Sequence, residues 1–175
     1  MKKKVLIISP NFPFPPRGAC ELDRAAGIKL FMKLGWEVYV VTKVYNEKYQ
    51  MQAWTTGKDL GITVVPILYK YLSTSGFAKI KKYLARLVQF WYLDGAAFEY
   101  SEPEIRGAVQ KALDNFNPDL VWVDYTYLWP LYGMIRRRNI PIMTRSINFE
   151  AAHFLQEDGW SLRNLLLYPH KLLSE

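Results

Sequence analysis

The chain alternates short apolar runs with longer segments in which apolar residues recur every three or four positions. The runs lie at residues 5–9 (VLIIS), 38–42 (VYVVT), 62–68 (ITVVPIL), 120–123 (LVWV) and 141–145 (PIMTR). Runs this short, with few polar interruptions, predict strands buried on both faces of a sheet. From Glu21 onward, Leu22, Ala25, Ala26, Leu30 and Leu34 fall along one side of a predicted helix that Gly35 ends. Ile80, Tyr83, Leu84, Leu87, Val88 and Trp91 mark a second helix, with Lys79, Lys81, Lys82 and Arg86 on its other faces. Ser101 and Glu104 have the spacing of a capping box for a third. That helix carries Ile105, Ala108, Val109, Ala112, Leu113 and Phe116 and stops at Asn117 and Pro118. Leu128, Leu131, Tyr132 and Ile135 suggest a fourth, with Arg136, Arg137 and Arg138 complementing its C-terminal dipole. Residues 162–173 read as helical, and residues 45–61 have no clean period and read as irregular. Strands alternating with helices, with no repeat or linker, predict one doubly wound α/β domain. Its sheet should be mostly parallel and Rossmann-like, in three α/β/α layers with right-handed crossovers.

Composition adds limits to that picture. Half of the 175 residues are apolar and 15% are aromatic, which supplies a real core and excludes a disordered chain. No apolar run approaches the roughly 20 residues a spanning helix needs. Lys2, Lys3 and Lys4 before residues 5–8 mimic a signal peptide, but the apolar part is short and Pro10, Pro13, Pro15 and Pro16 follow at once. Cys20 is the only cysteine, which excludes an internal disulfide and fits a reducing cytoplasm. A formal charge of +7 favours phosphates or an anionic membrane face. No nucleic-acid motif accompanies it, so nucleic acid is not an expected partner.

Ligands of open parallel sheets bind beyond the carboxyl ends of the strands, so the residues just after each run carry the chemistry. The first run leads into a proline-rich loop that closes with Arg17, Gly18, Ala19 and Cys20 where a helix starts. A helix N-terminus with small residues lets backbone N–H groups approach an anion, and Arg17 adds charge. The competing reading is a rigid surface loop in which Gly18 serves only a turn. Asp124, after the fourth strand, suits a carboxylate that orients or deprotonates a hydroxyl, or one that caps the next helix. Arg145, Asn148 and Glu150, after the fifth, form a polar cluster suited to hydroxyl or phosphate recognition. Helix capping by Asn148, with Glu150 near the dipole, competes with that. His153 reads as structural. The basic helix near residue 80 reads as a solvated face before it reads as a lipid-docking one. No G-x-G-x-x-G follows the first strand, and no P-loop, acidic receiver pocket or G-x-S-x-G elbow occurs.

Three stretches together resemble the N-terminal domain of family 4 glycosyltransferases, the retaining GT-B enzymes. The first runs from VLIISP through PRGACE at 16–21 to LGWEVYVVT at 34–42. The second is PDLVWVD at 118–124 and the third is TRSINFE at 144–150. Their order and spacing match a strand, a Pro- and Gly-rich loop, a helix, "P-D-[VI]-[VI]-h-x-H" and "R-S-H-N-x-E". Gly18 and Ala19 stand where relatives carry a Gly pair, Trp36 where His is usual, and Asp124 and Ile147 at two further His positions.

The resemblance implies one half of a GT-B fold. Residues 1–175 are then a single acceptor-side domain, with the donor-binding domain that carries E-x7-E absent from this chain, and the chain alone is an incomplete enzyme. It implies a nucleotide-sugar donor held mainly by that other domain and a sugar or lipid-linked acceptor. Polysaccharide or glycolipid assembly, with no cofactor and no metal, would follow. The cytoplasm, peripherally at the inner face of an anionic membrane, is the matching location. Arg17, Gly18 and Ala19 would lie near the donor phosphates. Asp124 would act on the transferred sugar or an acceptor hydroxyl, with Arg145, Asn148 and Glu150 shaping the acceptor pocket. The alternative is a stand-alone Rossmann-like module that binds a phosphorylated ligand or an acidic partner.

Overall fold

The computed structural model describes residues 2–70, 95–145 and 159–173, with positions 80, 84, 85, 87, 88 and 156. Five parallel strands, β1 (Lys4–Ser9), β2 (Glu37–Val44), β3 (Thr63–Leu68), β4 (Leu120–Asp124) and β5 (Ile142–Arg145), form one sheet. Their order across it is β3-β2-β1-β4-β5. Six helices are described: α1 (Ala19–Lys33), α2 (Glu47–Leu60), α3 (Gly95–Tyr100), α4 (Pro103–Asn115), α5 (Tyr132–Arg136) and α6 (Leu162–Leu173). A 3-10 turn, Thr126–Leu131, precedes α5. No described helix is long and apolar enough to cross a membrane.

The strands alternate sides, and that produces the layers. Leu6, Ile8, Val121 and Val123 pack with Ile105, Val109 and Leu113 of α4 on one face. Val5, Ile7, Val40 and Trp122 pack with Ala25 and Ile28 of α1 and Ala53 of α2 on the other. The result is a Rossmann-like three-layer α/β/α fold. Its strand order reverses at β1, whose C-terminal end lies beside that of β4.

Three elements differ from the sequence expectation. Helix α1 begins at Ala19 and buries Arg24, Ala25 and Ile28, while Leu22, Leu30 and Leu34 are exposed. The cause is Gly27: a Cβ there would stand 2.4 Å from Cη2 of Trp122, so the helix presses its glycine side onto the indole. Residues 47–60 are helix α2, not irregular chain. Only Ala53 and Gly57 of α2 are buried, which leaves no apolar stripe to read, although Asn46 caps it and Gly61 ends it in the left-handed region at φ 70°. Ser101 does not form the capping box. Its hydroxyl donates to the Phe98 carbonyl at 2.6 Å, and Glu102 is the N-cap of α4. Around residue 80, Ile80, Leu84, Leu87 and Val88 are helical but exposed, so their side chains add nothing to the core. The rest of that expected helix lies outside the described residues.

Gly27→Ala should lower stability by on the order of 1 kcal/mol, because the clash with a buried indole outweighs the better helix propensity of alanine. For a chain of this size that is a fall of roughly 2–4 °C in Tm. A melting curve at or above that of the parent would show that α1 does not need this close approach.

Candidate functional site

The reversal of strand order brings Ser9, the last residue of β1, next to Asp124, the last of β4. Asp124 is fully buried. Ser9 Oγ donates to its Oδ2 at 3.2 Å. Arg145, at the end of β5, approaches Oδ1 with Nε at 2.8 Å and Nη2 at 2.7 Å. Arg24 of α1 pairs with Oδ2 and reaches the side chain of Asn11. Arg145 also pairs with Asp23. One carboxylate therefore ties β1, β4, β5 and α1 together below the cleft floor, with both oxygens engaged by guanidinium groups.

Above this hub, the loop from Pro10 and the first turn of α1 form one wall of an open cleft of about 520 Å³. Arg17, Gly18, Ala19 and Arg24 line it together with Tyr45, Tyr69, Tyr125 and Tyr127. Gly18 is the N-cap of α1 and brings no side chain to it, so the first N–H groups are not covered by a cap. Arg17 donates to the Tyr49 hydroxyl at 2.7 Å. Glu21 accepts from the Arg17 backbone N–H at 2.6 Å and from Asn11 Nδ2 at 3.0 Å, placing a negative charge on the rim.

Tyr125 holds φ 107° and ψ 144°, a conformation that costs a non-glycine residue about 1–3 kcal/mol. Its N–H donates to the Arg145 carbonyl at 2.8 Å and Arg24 lies 5.3 Å from its ring, so the surroundings fix it there. Burial, and then a hydrogen bond with Cys20, pushes the Tyr125 hydroxyl up to about 12. Burial also lifts Tyr69 to about 12, and raises Tyr100 and Tyr127 well above the ordinary tyrosine value. These hydroxyls stay protonated at neutral pH and serve as hydrogen-bonding groups, not as bases.

Beneath the Tyr69 ring lies a second buried ionic group. Lys43 of β2 is fully buried, with Nζ 2.6 Å from Glu102 Oε2, 3.5 Å from Glu99 Oε2 and 5.2 Å from the Tyr69 ring centre. Glu102 Oε1 is buried and has no hydrogen-bond partner among the described residues. Burial raises the pKa of Glu102 in spite of the opposing effect of Lys43.

The structure gathers Arg17, Gly18 and Ala19 at the cleft and seats Asp124 and Arg145 in the hub beside it. Asn148 and Glu150 lie outside the described residues, as does His153. Sequence reasoning missed Arg24, Lys43, Glu99, Glu102, Tyr45 and Tyr69. The tyrosines did leave a signal: Tyr45, Tyr69 and Tyr125 each directly follow the last residue of a strand. A larger groove of about 640 Å³ runs along the β3 edge between Val65, Ile67 and Ala108, and none of Arg17, Gly18, Ala19, Asp124 and Arg145 lines it. No model of a known protein family and no curated protein matches this chain.

Proposed function

We propose that this chain is the acceptor-side domain of a nucleotide-sugar-dependent glycosyltransferase of the retaining GT-B type, acting in polysaccharide or glycolipid assembly. One observation carries the reading: α1 starts uncapped at Gly18, between Arg17 and Arg24, in a cleft where the strand order reverses. Unpaired N–H groups, the helix dipole and two guanidinium groups suit the diphosphate of an activated sugar, whose leaving charge grows in the transition state. In this reading a second domain holds the rest of the donor, and the cleft admits the acceptor. Asp124 acts by fixing Arg24 and Arg145, because its own oxygens are engaged. The basic balance of the chain fits a lipid-linked acceptor at an anionic membrane face.

Gly18 supplies a clean test. Its backbone is extended, at φ −154°, and a Cβ there would meet nothing within 4 Å. Gly18→Val should therefore cause no clash and cost only about 1 kcal/mol of capping preference, leaving the domain folded, while placing two methyl groups over the N–H groups of α1. In the intact protein from its own cells, the KM for the nucleotide-sugar should rise by about tenfold, equivalent to ~1.4 kcal/mol. The assay follows labelled sugar from UDP-, GDP- and ADP-sugars into membrane extract. No transfer from any donor by the intact protein would sink the reading, as would an unaltered KM in the variant.

A further inference from the structure

Four tyrosines, Tyr45, Tyr69, Tyr125 and Tyr127, line the cleft, and Tyr49 and the buried Tyr100 join them into one arc of contacts closed at each end by an arginine. Arg17 lies 4.9 Å over the Tyr49 ring, and Tyr49 meets Tyr45 edge to face at 6.3 Å. Tyr45 stacks on Tyr69 at 5.4 Å and 25°. The Tyr69 hydroxyl is 3.5 Å from that of Tyr100, whose ring lies 6.1 Å from Tyr127. Tyr127 stacks on Tyr125 at 5.1 Å and 18°, and Arg24 covers Tyr125. The loops after β2, β3 and β4 each contribute, so this surface is assembled from across the sheet and does not come from one local run. Burial alone does not explain it: Tyr45 is 57% exposed, yet it is held flat against Tyr69.

We propose that the arc is a platform for a neutral pyranose, whose C–H face lies on the exposed ring of Tyr45, since Arg24 already covers Tyr125. The stacked pairs are already closed on themselves, so they leave no slot for a planar base within a pair. What they offer is the single open ring face of Tyr45, and a pyranose presents one apolar face to such a surface. Its hydroxyls both donate and accept, and the rim supplies both partners: Arg17 donates, Glu21 accepts and Asn11 does either. Calling this ring the acceptor rests on the transferase reading; its binding to the arc does not.

Saturation-transfer NMR on the chain tests this, with the methyl glycosides of glucose, galactose, mannose and N-acetylglucosamine as probes and adenosine as the planar control. Irradiating the tyrosine ring protons should saturate the ring C–H protons of at least one glycoside. Tyr45→Ala, at an exposed position that folding does not need, should weaken that glycoside by about three- to tenfold, the range of one aromatic contact. Tyr45→Phe should retain the affinity. Transfer to no glycoside, transfer to adenosine alone, or affinity unmoved by Tyr45→Ala would each overturn the platform. Tyrosine-dependent glycoside binding alongside an intact protein that transfers no sugar would keep the platform and end the transferase reading. Sugar transfer by an intact protein whose acceptor KM ignores Tyr45→Ala would do the reverse.

Discussion

Replacing Lys43 with methionine is expected to lower stability by about 3–5 kcal/mol, the usual cost of stripping one partner from a buried ionic cluster. Methionine fills much of the same volume, so the loss is chiefly electrostatic. Two carboxylates, Glu102 with a side chain 2% exposed and Glu99 at 11%, would face each other without their cation. Glu102→Gln should cost far less, because the cluster carries one negative charge more than Lys43 balances. The pH dependence has a definite sign. The folded-state pKa of Glu102 is raised above its ordinary 4.5, so the native state holds its proton to higher pH than the unfolded chain does. The stability this group contributes is complete below pH 4.5 and is lost as pH rises through the raised value. Urea melts at several pH values between 4 and 7 should show that decline in the parent and a flatter profile in Glu102→Gln. Lys43→Met should steepen the decline, since Glu102 then loses the cation that favours its ionised form. A Lys43→Met protein within about 1 kcal/mol of the parent at pH 7 would mean that water reaches the cluster and screens it. The cluster ties α3 and the start of α4 to β2, directly beneath Tyr69, so the same variant should also loosen that end of the tyrosine arc.

How much of this was legible in the sequence follows from which side chains make the contacts. The central strands β1, β2 and β4 were readable because each buries apolar residues at successive positions, as a sheet covered on both faces requires; the half-buried edge strands β3 and β5 stood out only as short apolar runs. Helix α2 was not, because it meets the sheet through Ala53 and through Gly57, where a Cβ would stand 2.5 Å from Val64. A helix that packs through its smallest residues leaves no apolar period. Helix α1 misled for a related reason: Leu22, Leu30 and Leu34 make a clear stripe, but Gly27 and Arg24 mark the side that is buried. The cleft loop, Asp124 and Arg145 could be found because they immediately follow strands. Arg24 and Lys43 could not, because a charged residue in an amphipathic pattern reads as solvent-facing until its buried partner is known. Asp124 is that partner for Arg24, and Glu102 for Lys43; both lie far away in sequence.

Replacing Asp124 with alanine is expected to destabilise the domain by about 3–5 kcal/mol, and this changes how its role must be tested. A carboxylate acting only on the sugar would predict that Asp124→Ala lowers turnover and leaves the fold intact. The geometry indicates otherwise, because the carboxylate is fully buried and holds Arg24 and Arg145 at once. Arg145 would keep Asp23, whose side chain is 64% exposed and so contributes little. Arg24, with a side chain only 4% exposed, would keep no carboxylate among the described residues. The cost falls mainly on that stranded guanidinium, and with it on the first half of α1 and the cleft wall. Asp124→Asn retains the shape and some hydrogen bonding, so its loss should be smaller, about 1–3 kcal/mol. Chemical denaturation of the two variants gives the stabilities, and turnover of the intact protein should then be compared at a temperature where both remain folded. A positioning role predicts that activity falls in the order of Arg24 displacement, with Asp124→Asn partly active. Parent-like melting of Asp124→Ala would break the ionic hub as described and return Asp124 to direct contact with the sugar.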